Sequence, residues 1–177
     1  MQQLISQKYS HLEENIVKML EPLKNDQTFL RMITYLTPYP LNLEYIDDSG
    51  ITHPQPDIPM PFDLVGSGMI SLLLFNPKIV TDAKCYLFFS HRSFSSDANV
   101  DILAKHVFTF DIICPYVFSQ INDKIRQDRI ADQFIQAIDN QFIAGINQVF
   151  VNQGADYFVN DTYQGLTLTI RVNDTRV

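Results

Sequence analysis

Tryptophan is absent from this 177-residue chain, glycine occurs only six times and cysteine only twice. So little cysteine excludes a disulfide-stapled secreted scaffold, and the fold must rest on a hydrophobic core instead. A run of basic residues is also missing: Lys and Arg total 13 against 20 Asp and Glu, a formal net charge of −7. That balance favours solubility and excludes tight non-specific binding to the outside of DNA, where Lys and Arg neutralise phosphates. Long hydrophobic runs are lacking too. The longest apolar stretch, Met69 to Phe75, falls far short of the roughly 20 residues that a membrane-spanning helix needs. The opening Met1-Gln2-Gln3-Leu4-Ile5 has neither a charged start nor an apolar leader core, so no signal peptide is expected. A soluble, intracellular protein is the expectation.

What the chain does have is apolar material, 46% hydrophobic and 12% aromatic residues. In a chain of this length that suffices for a single domain, residues 1–177, with one core. Cys85 and Cys114 each lie in a hydrophobic segment, with no Cys or His at ligand spacing. Buried reduced thiols are the plain reading, and a bridge between two adjacent strands is the alternative.

Hydrophobic periodicity divides the chain into three parts. In residues 1–37, Leu12, Ile16, Met19, Leu20 and Leu23 share one helical face, and Pro22 ends or kinks that helix. Asp26 is placed to cap a second helix carrying Phe29, Leu30 and Ile33, which must stop before Thr37-Pro38. Residues 38–68 form a proline-rich arm holding Pro38, Pro40, Pro54, Pro56, Pro59 and Pro61, so neither a helix nor a central strand can run through it. The arm nevertheless carries Leu41, Leu43, Tyr45, Ile46, Ile51, Ile58, Met60 and Phe62, too much apolar surface for a solvated linker. Left exposed on a monomer, such an arm would be an aggregation liability. Such an arm packs either on the protein's own core or on a neighbouring subunit; residues 41–62 are expected to contact a neighbouring subunit, with Leu41, Leu43, Tyr45, Ile51, Ile58, Met60 and Phe62 as the candidate interface.

Residues 69–177 read as a sheet plus one long helix. Strands are expected over Met69–Phe75 and Lys84–Phe89, followed by a polar loop from His91 to Asn99. Over 106–113, Phe108, Phe110 and Ile112 alternate with Val107, Thr109 and Asp111, the pattern of a half-buried antiparallel strand. A helix over about 122–140 buries Ile130, Phe134, Ala137, Ile138 and Phe142, and turns Lys124, Arg126, Asp128, Asp132 and Gln136 to solvent. Gly145 suits its exit turn. A strand over 146–151, turns at Gly154 and Asn160-Asp161, and a strand over 163–172 close the chain. The fold class is α+β: an antiparallel or mixed sheet with one long helix packed on it, N-terminal helices and a long arm.

Catalytic spacing is absent. His11, His53, His91 and His106 form no H-x-x-x-H or H-E-x-x-H pair, although His91 and His106 flank one loop and could meet. Asp128 and Asp132 share a helix face, but beside Arg126 and Arg129 they read as a solvated surface. Val65-Gly66-Ser67-Gly68 lacks both the P-loop lysine and a third glycine, and it does not match a nucleophile elbow. No catalytic residue, metal or cofactor is expected. Two function classes remain: an assembly protein, or a small cytoplasmic enzyme or ligand-binding domain whose site converges only in three dimensions. Missing motifs favour the first.

The order of elements, with His106 to Ile113, a helix starting near Arg126 and Arg129, and the closing strand Tyr163 to Arg171, resembles the tail-terminator and neck proteins of tailed bacteriophages. Phe29 to Leu36 is similar to the second helix of phage neck components. The likeness covers about residues 12–37 and 105–172, and residues 38–68 depart from it by being longer and richer in proline. The resemblance implies a virion structural protein, a head–tail connector or terminator subunit of a closed ring, commonly a hexamer. Such a ring caps the tail tube and docks it to the head. Its partners would be copies of itself and other neck, connector or tail-tube proteins, with DNA passing through the lumen unbound. It would reside in the host cytoplasm during assembly and then in the virion.

Overall fold

The structure, a computed structural model, describes residues 14–72, 82–96, 103–121, 123–143 and 147–175. Residues 14–20 form helix α1, whose Ile16, Met19 and Leu20 are buried together with Leu23 beyond it. Pro22 cannot donate the next helical hydrogen bond, and the chain tightens into a 3-10 turn over Glu21–Asn25. Asp26 then caps α2 (Gln27–Thr34), its side chain accepting from the Phe29 amide at 3.0 Å. The expected position of Leu12 lies outside the described residues.

Within the arm, β1 (Glu44–Ile46) and β2 (Thr52–Pro54) pair as a short antiparallel hairpin. Among the described residues the main sheet has six strands: β3 (Ile70–Ser71), β4 (Tyr86–Ser96), β5 (Leu103–Pro115), β8 (Phe142–Ile143), β9 (Asn147–Phe158) and β10 (Tyr163–Thr175). Their spatial order is β3-β4-β5-β10-β9-β8, antiparallel except where β3 runs parallel to β4. Between β5 and β9 come a 3-10 turn (Tyr116–Phe118), the small pair β6 (Gln120–Ile121) and β7 (Lys124–Ile125), and then α3 (Arg126–Ile138). Helices pack beside a largely antiparallel sheet, so the fold is α+β.

The alternation in β5 orients the sheet. Phe108, Phe110 and Ile112 turn toward α3, where Phe134 stacks on Phe110 with centroids 4.1 Å apart and Phe89 lies 5.9 Å from Phe134. Met19, Leu20, Leu23, Phe29 and Leu30 complete the same core. On the opposite face Tyr86, Phe88, Ile113 and Tyr163 make a smaller cluster.

Several boundaries differ from the sequence reading, each for a local reason. The polar loop expected from His91 is strand through Ser96, since β4 continues pairing with β5 after a register shift between His91 and Ser93; 97–99 lie outside the described residues. Only Ile70–Ser71 of the expected Met69–Phe75 strand forms β3, and 73–75 are likewise outside. Gly154 is no turn but an interior residue of β9, where an added Cβ would meet Leu168 Cδ2 at 3.3 Å. A close approach, rather than a reversal, explains that glycine. The long helix starts at Arg126 because Lys124 and Ile125 are held in β7, with Asp123 in the left-handed region (φ 63°) turning the chain. It ends before Asn140, also left-handed at φ 57°. Phe142 belongs to β8 rather than to the helical stripe and is 76% exposed, while Gly145 lies outside the described residues. Arg126, expected at the surface, is fully buried.

Candidate functional site

Two arginines organise the N-terminal half. Arg126 sends Nε to the Phe118 carbonyl at 2.7 Å, Nη1 to those of Met32 and Tyr35 at 2.6 and 3.0 Å, and Nη2 to that of Thr37 at 2.6 Å. The Met32, Tyr35 and Thr37 carbonyls lie at and just beyond the end of α2, so α3 and α2 are locked together through one side chain. Burial holds the guanidinium below its usual pKa. No carboxylate pairs with it among the described residues.

Arg31, only 3% exposed, does the corresponding work for the arm. Its Nε donates to the Pro40 carbonyl at 3.0 Å, Nη2 to that of Asn42, and Nη1 to Asp57 Oδ1 at 3.0 Å. Buried Gln55 donates to the Tyr39 and Asn42 carbonyls at 2.9 and 3.0 Å and accepts from Thr37 at 2.7 Å. Gln27 grips Ile58 twice, donating to its carbonyl at 2.8 Å and accepting from its amide at 2.9 Å. The Phe62 amide bonds the Lys24 carbonyl at 2.9 Å. Polar side chains thus satisfy carbonyls of the arm that lie outside its short β1–β2 pairing.

From this anchored base the β1–β2 hairpin projects. Its turn is tied by Asp47, which accepts from the amides of Ser49 and Ile51 at 2.9 Å each and faces His53 Nε2 at 2.9 Å. The His53 hydrogen bond, helped by the backbone amide of Ile51, holds the Asp47 carboxyl below its usual range. Gly50, at φ 78°, supplies the left-handed residue that the reversal needs.

The candidate interface residues divide accordingly. Leu43 is 70% exposed and Ile51 56%, with Met60 and Leu41 also exposed, whereas Tyr45 is half-buried and stacks beside His53. Ile58 and Phe62 pack into the protein's own core, because Gln27 and the Lys24 carbonyl hold the backbone around them against α2 and the preceding turn. Ile58 is buried and leaves almost no side-chain surface for a neighbour, while Phe62 is only partly covered. Ile46, 59% exposed, and Tyr39, 49% exposed, extend the apolar surface. Sequence reading missed the anchors Arg31, Gln27 and Gln55. The signal for Arg31 was its position inside the buried run Phe29-Leu30-Arg31-Met32-Ile33, where a charge demands partners.

A second group of polar side chains sits on the sheet face away from α3. Ser90 and Thr109 lie 3.0 Å apart, Arg92 Nε donates to Thr109 at 3.0 Å, and Asp111 is 4% exposed with Oδ2 unpartnered among the described residues. Burial pushes the Asp111 carboxyl up, against the pull of Thr167 and Arg92, and burial likewise drives the Tyr157 phenol up. A raised carboxyl stabilises the fold below the ordinary carboxylate range, and that stability is lost as pH rises through the folded value. Asp111→Asn keeps the neutral form at every pH. It should therefore be more stable than the parent at neutral pH, with the gap closing toward acid, as read from urea midpoints across pH. An equal or lower midpoint at neutral pH would refute this.

His91 and His106 do meet, with Nε2 and Nδ1 3.4 Å apart and both rings near Phe108. Among the described residues no group of three or more His, Cys, Asp or Glu could hold a metal ion. Asp128 and Asp132 stand on the outer face of α3, where burial, then the charges of Asp156 and Asp132, push the Asp128 carboxyl up. Gly66 and Gly68 lie in a turn tied by Asp63, whose Oδ1 accepts from the Gly66 amide at 2.8 Å. No helix is long and apolar enough to cross a membrane among the described residues.

No curated protein matches the chain. The YomW family matches over residues 13–172, nearly its whole length, and that name comes from a gene of a Bacillus phage region. This chain belongs to the YomW family.

Proposed function

We propose that this protein is a structural subunit of the phage neck, a tail-terminator or head–tail connector ring component, and not an enzyme. The observation that carries the reading is the hairpin. Leu43, Ile46 and Ile51 stand more than half exposed on a segment that Arg31, Gln27 and Gln55 hold in place. Apolar side chains on a rigid support lose little entropy on docking, and each Å² buried contributes about 25 cal/mol. The sheet supplies a second surface. β8 pairs with only Asn147 and Gln148 of β9, so 152–158 have no strand on that side among the described residues. An exposed edge accepts another chain's backbone. Two different patches on one subunit make a heterologous contact, which closes a ring when the rotation permits. The net charge of −7 suits a lumen through which DNA slides without sticking.

The test is the triple variant Leu43→Ser, Ile46→Ser, Ile51→Ser. None of the three contributes to the core, so it should unfold at the parent's urea midpoint but sediment as a monomer where the parent sediments as an oligomer. Sedimentation identical to the parent would remove the hairpin from the interface. A parent that is itself monomeric would favour the alternative of a small cytoplasmic enzyme or binder.

A further inference from the structure

The two cysteines, 29 residues apart in sequence, face each other across neighbouring strands with Sγ atoms 3.2 Å apart. Pairing of Tyr86 with Ile113 at the start of β4 puts Cys85 directly opposite Cys114. Residues so paired have Cα atoms about 4.5 to 5.5 Å apart, within the roughly 4.4–6.8 Å that a disulfide spans. Both thiols are buried, Cys114 fully and Cys85 at 5% exposure, but Cys85 adjoins the exposed residues 82–84 at the strand's entry. The buried Arg126, which has no carboxylate partner among the described residues, lends both sulfurs a favourable positive charge.

We propose that Cys85 and Cys114 form a redox site, in which a small hydroperoxide converts the thiol pair into a cross-strand disulfide. Cys85 is attacked first, since its residue is the less buried of the two and adjoins the exposed entry of the strand. Its thiolate takes the distal oxygen of hydrogen peroxide: an S–O bond forms, the O–O bond breaks, and the departing hydroxide takes up the thiol proton to leave as water. The Cys114 sulfur then attacks the Cys85 sulfenic acid, so that an S–S bond forms and the S–O bond breaks. The departing hydroxide takes the Cys114 proton and leaves as a second water. Two thiols are oxidised by two electrons, and one peroxide is reduced to two waters.

The electrostatics suit that order. A hydrogen bond from the Cys114 thiol, opposed by burial and aided by Arg126, holds the Cys85 thiol below its usual pKa. Burial, with the neighbouring Cys85, pushes Cys114 well up. The contact thus favours a single thiolate in the pair and opposes a second, as an attacking and a resolving thiol require. Closure would staple the first residues of β4 to the end of β5, beside the point where Arg126 ties α3 to α2.

Hydrogen peroxide on the folded, full-length protein tests this, read by intact mass and by alkylation after unfolding. The treated protein should weigh less by two hydrogens, take up no alkylating agent at either cysteine, and regain both reactive thiols with dithiothreitol. Cys114→Ser should instead trap a sulfenic acid at Cys85 that dimedone labels, while Cys85→Ser should react far more slowly. If both parent cysteines still alkylate fully after treatment, there is no redox site. Equal dimedone labelling in the two variants would overturn the assigned order of attack.

Discussion

Arg126→Met is expected to lower stability by about 3–5 kcal/mol, since one charged donor serves several carbonyls and a hydrogen bond to a charged group contributes about 1.5–3 kcal/mol. Methionine fills a similar volume, so the effect reports hydrogen bonds more than a cavity. Four carbonyls, from Phe118, Met32, Tyr35 and Thr37, lose their donor at once. Each buried acceptor left bare costs about 1–3 kcal/mol, without simple additivity because they share one side chain. Arg126→Lys should recover only part, since one ammonium cannot reach four carbonyls with the geometry of a planar fork. Urea midpoints at neutral pH decide the matter. A loss under about 1 kcal/mol for the methionine variant would mean that water or a shifted backbone replaces the guanidinium.

Phe134→Ala should cost a similar amount, about 3–5 kcal/mol, by emptying a buried aromatic site. The ring is fully buried, stacks on Phe110 at 4.1 Å and lies 5.9 Å from Phe89, so its loss opens a hole between α3 and two strands. Phe134→Leu should cost less, because part of the volume stays filled. The ordering of parent, leucine and alanine in chemical denaturation is the check. A change below about 1 kcal/mol for alanine would show that the stripe is not core.

Residues whose partners are local in sequence were the legible ones. Asp26 caps α2 three residues ahead, and Thr37-Pro38 marks where helix cannot continue. Strict alternation gave β5 and β10, and spacing gave Ile130, Phe134 and Ile138. The end of β4 was hidden because its polar composition reads as loop, while its backbone goes on pairing with β5. Arg126 and Arg31 were hidden for a different reason. Amphipathic reading sends every charge outward, yet a guanidinium can be buried when carbonyls from far along the chain surround it, and Met32 lies 94 residues from Arg126. The arm shows both limits. Its apolar residues were visible, but whether each faces core or solvent depends on contacts such as Gln27 with Ile58, 31 residues apart. Leu43 and Ile51 emerged exposed while Ile58 and Phe62 turned inward.

The central claim, that copies of this chain close into a ring, is tested most directly by electron-microscopy class averages of the purified protein. End-on views should show rotationally symmetric rings around an open lumen. Fields containing only single 20.4 kDa chains, or filaments that never close, would contradict it.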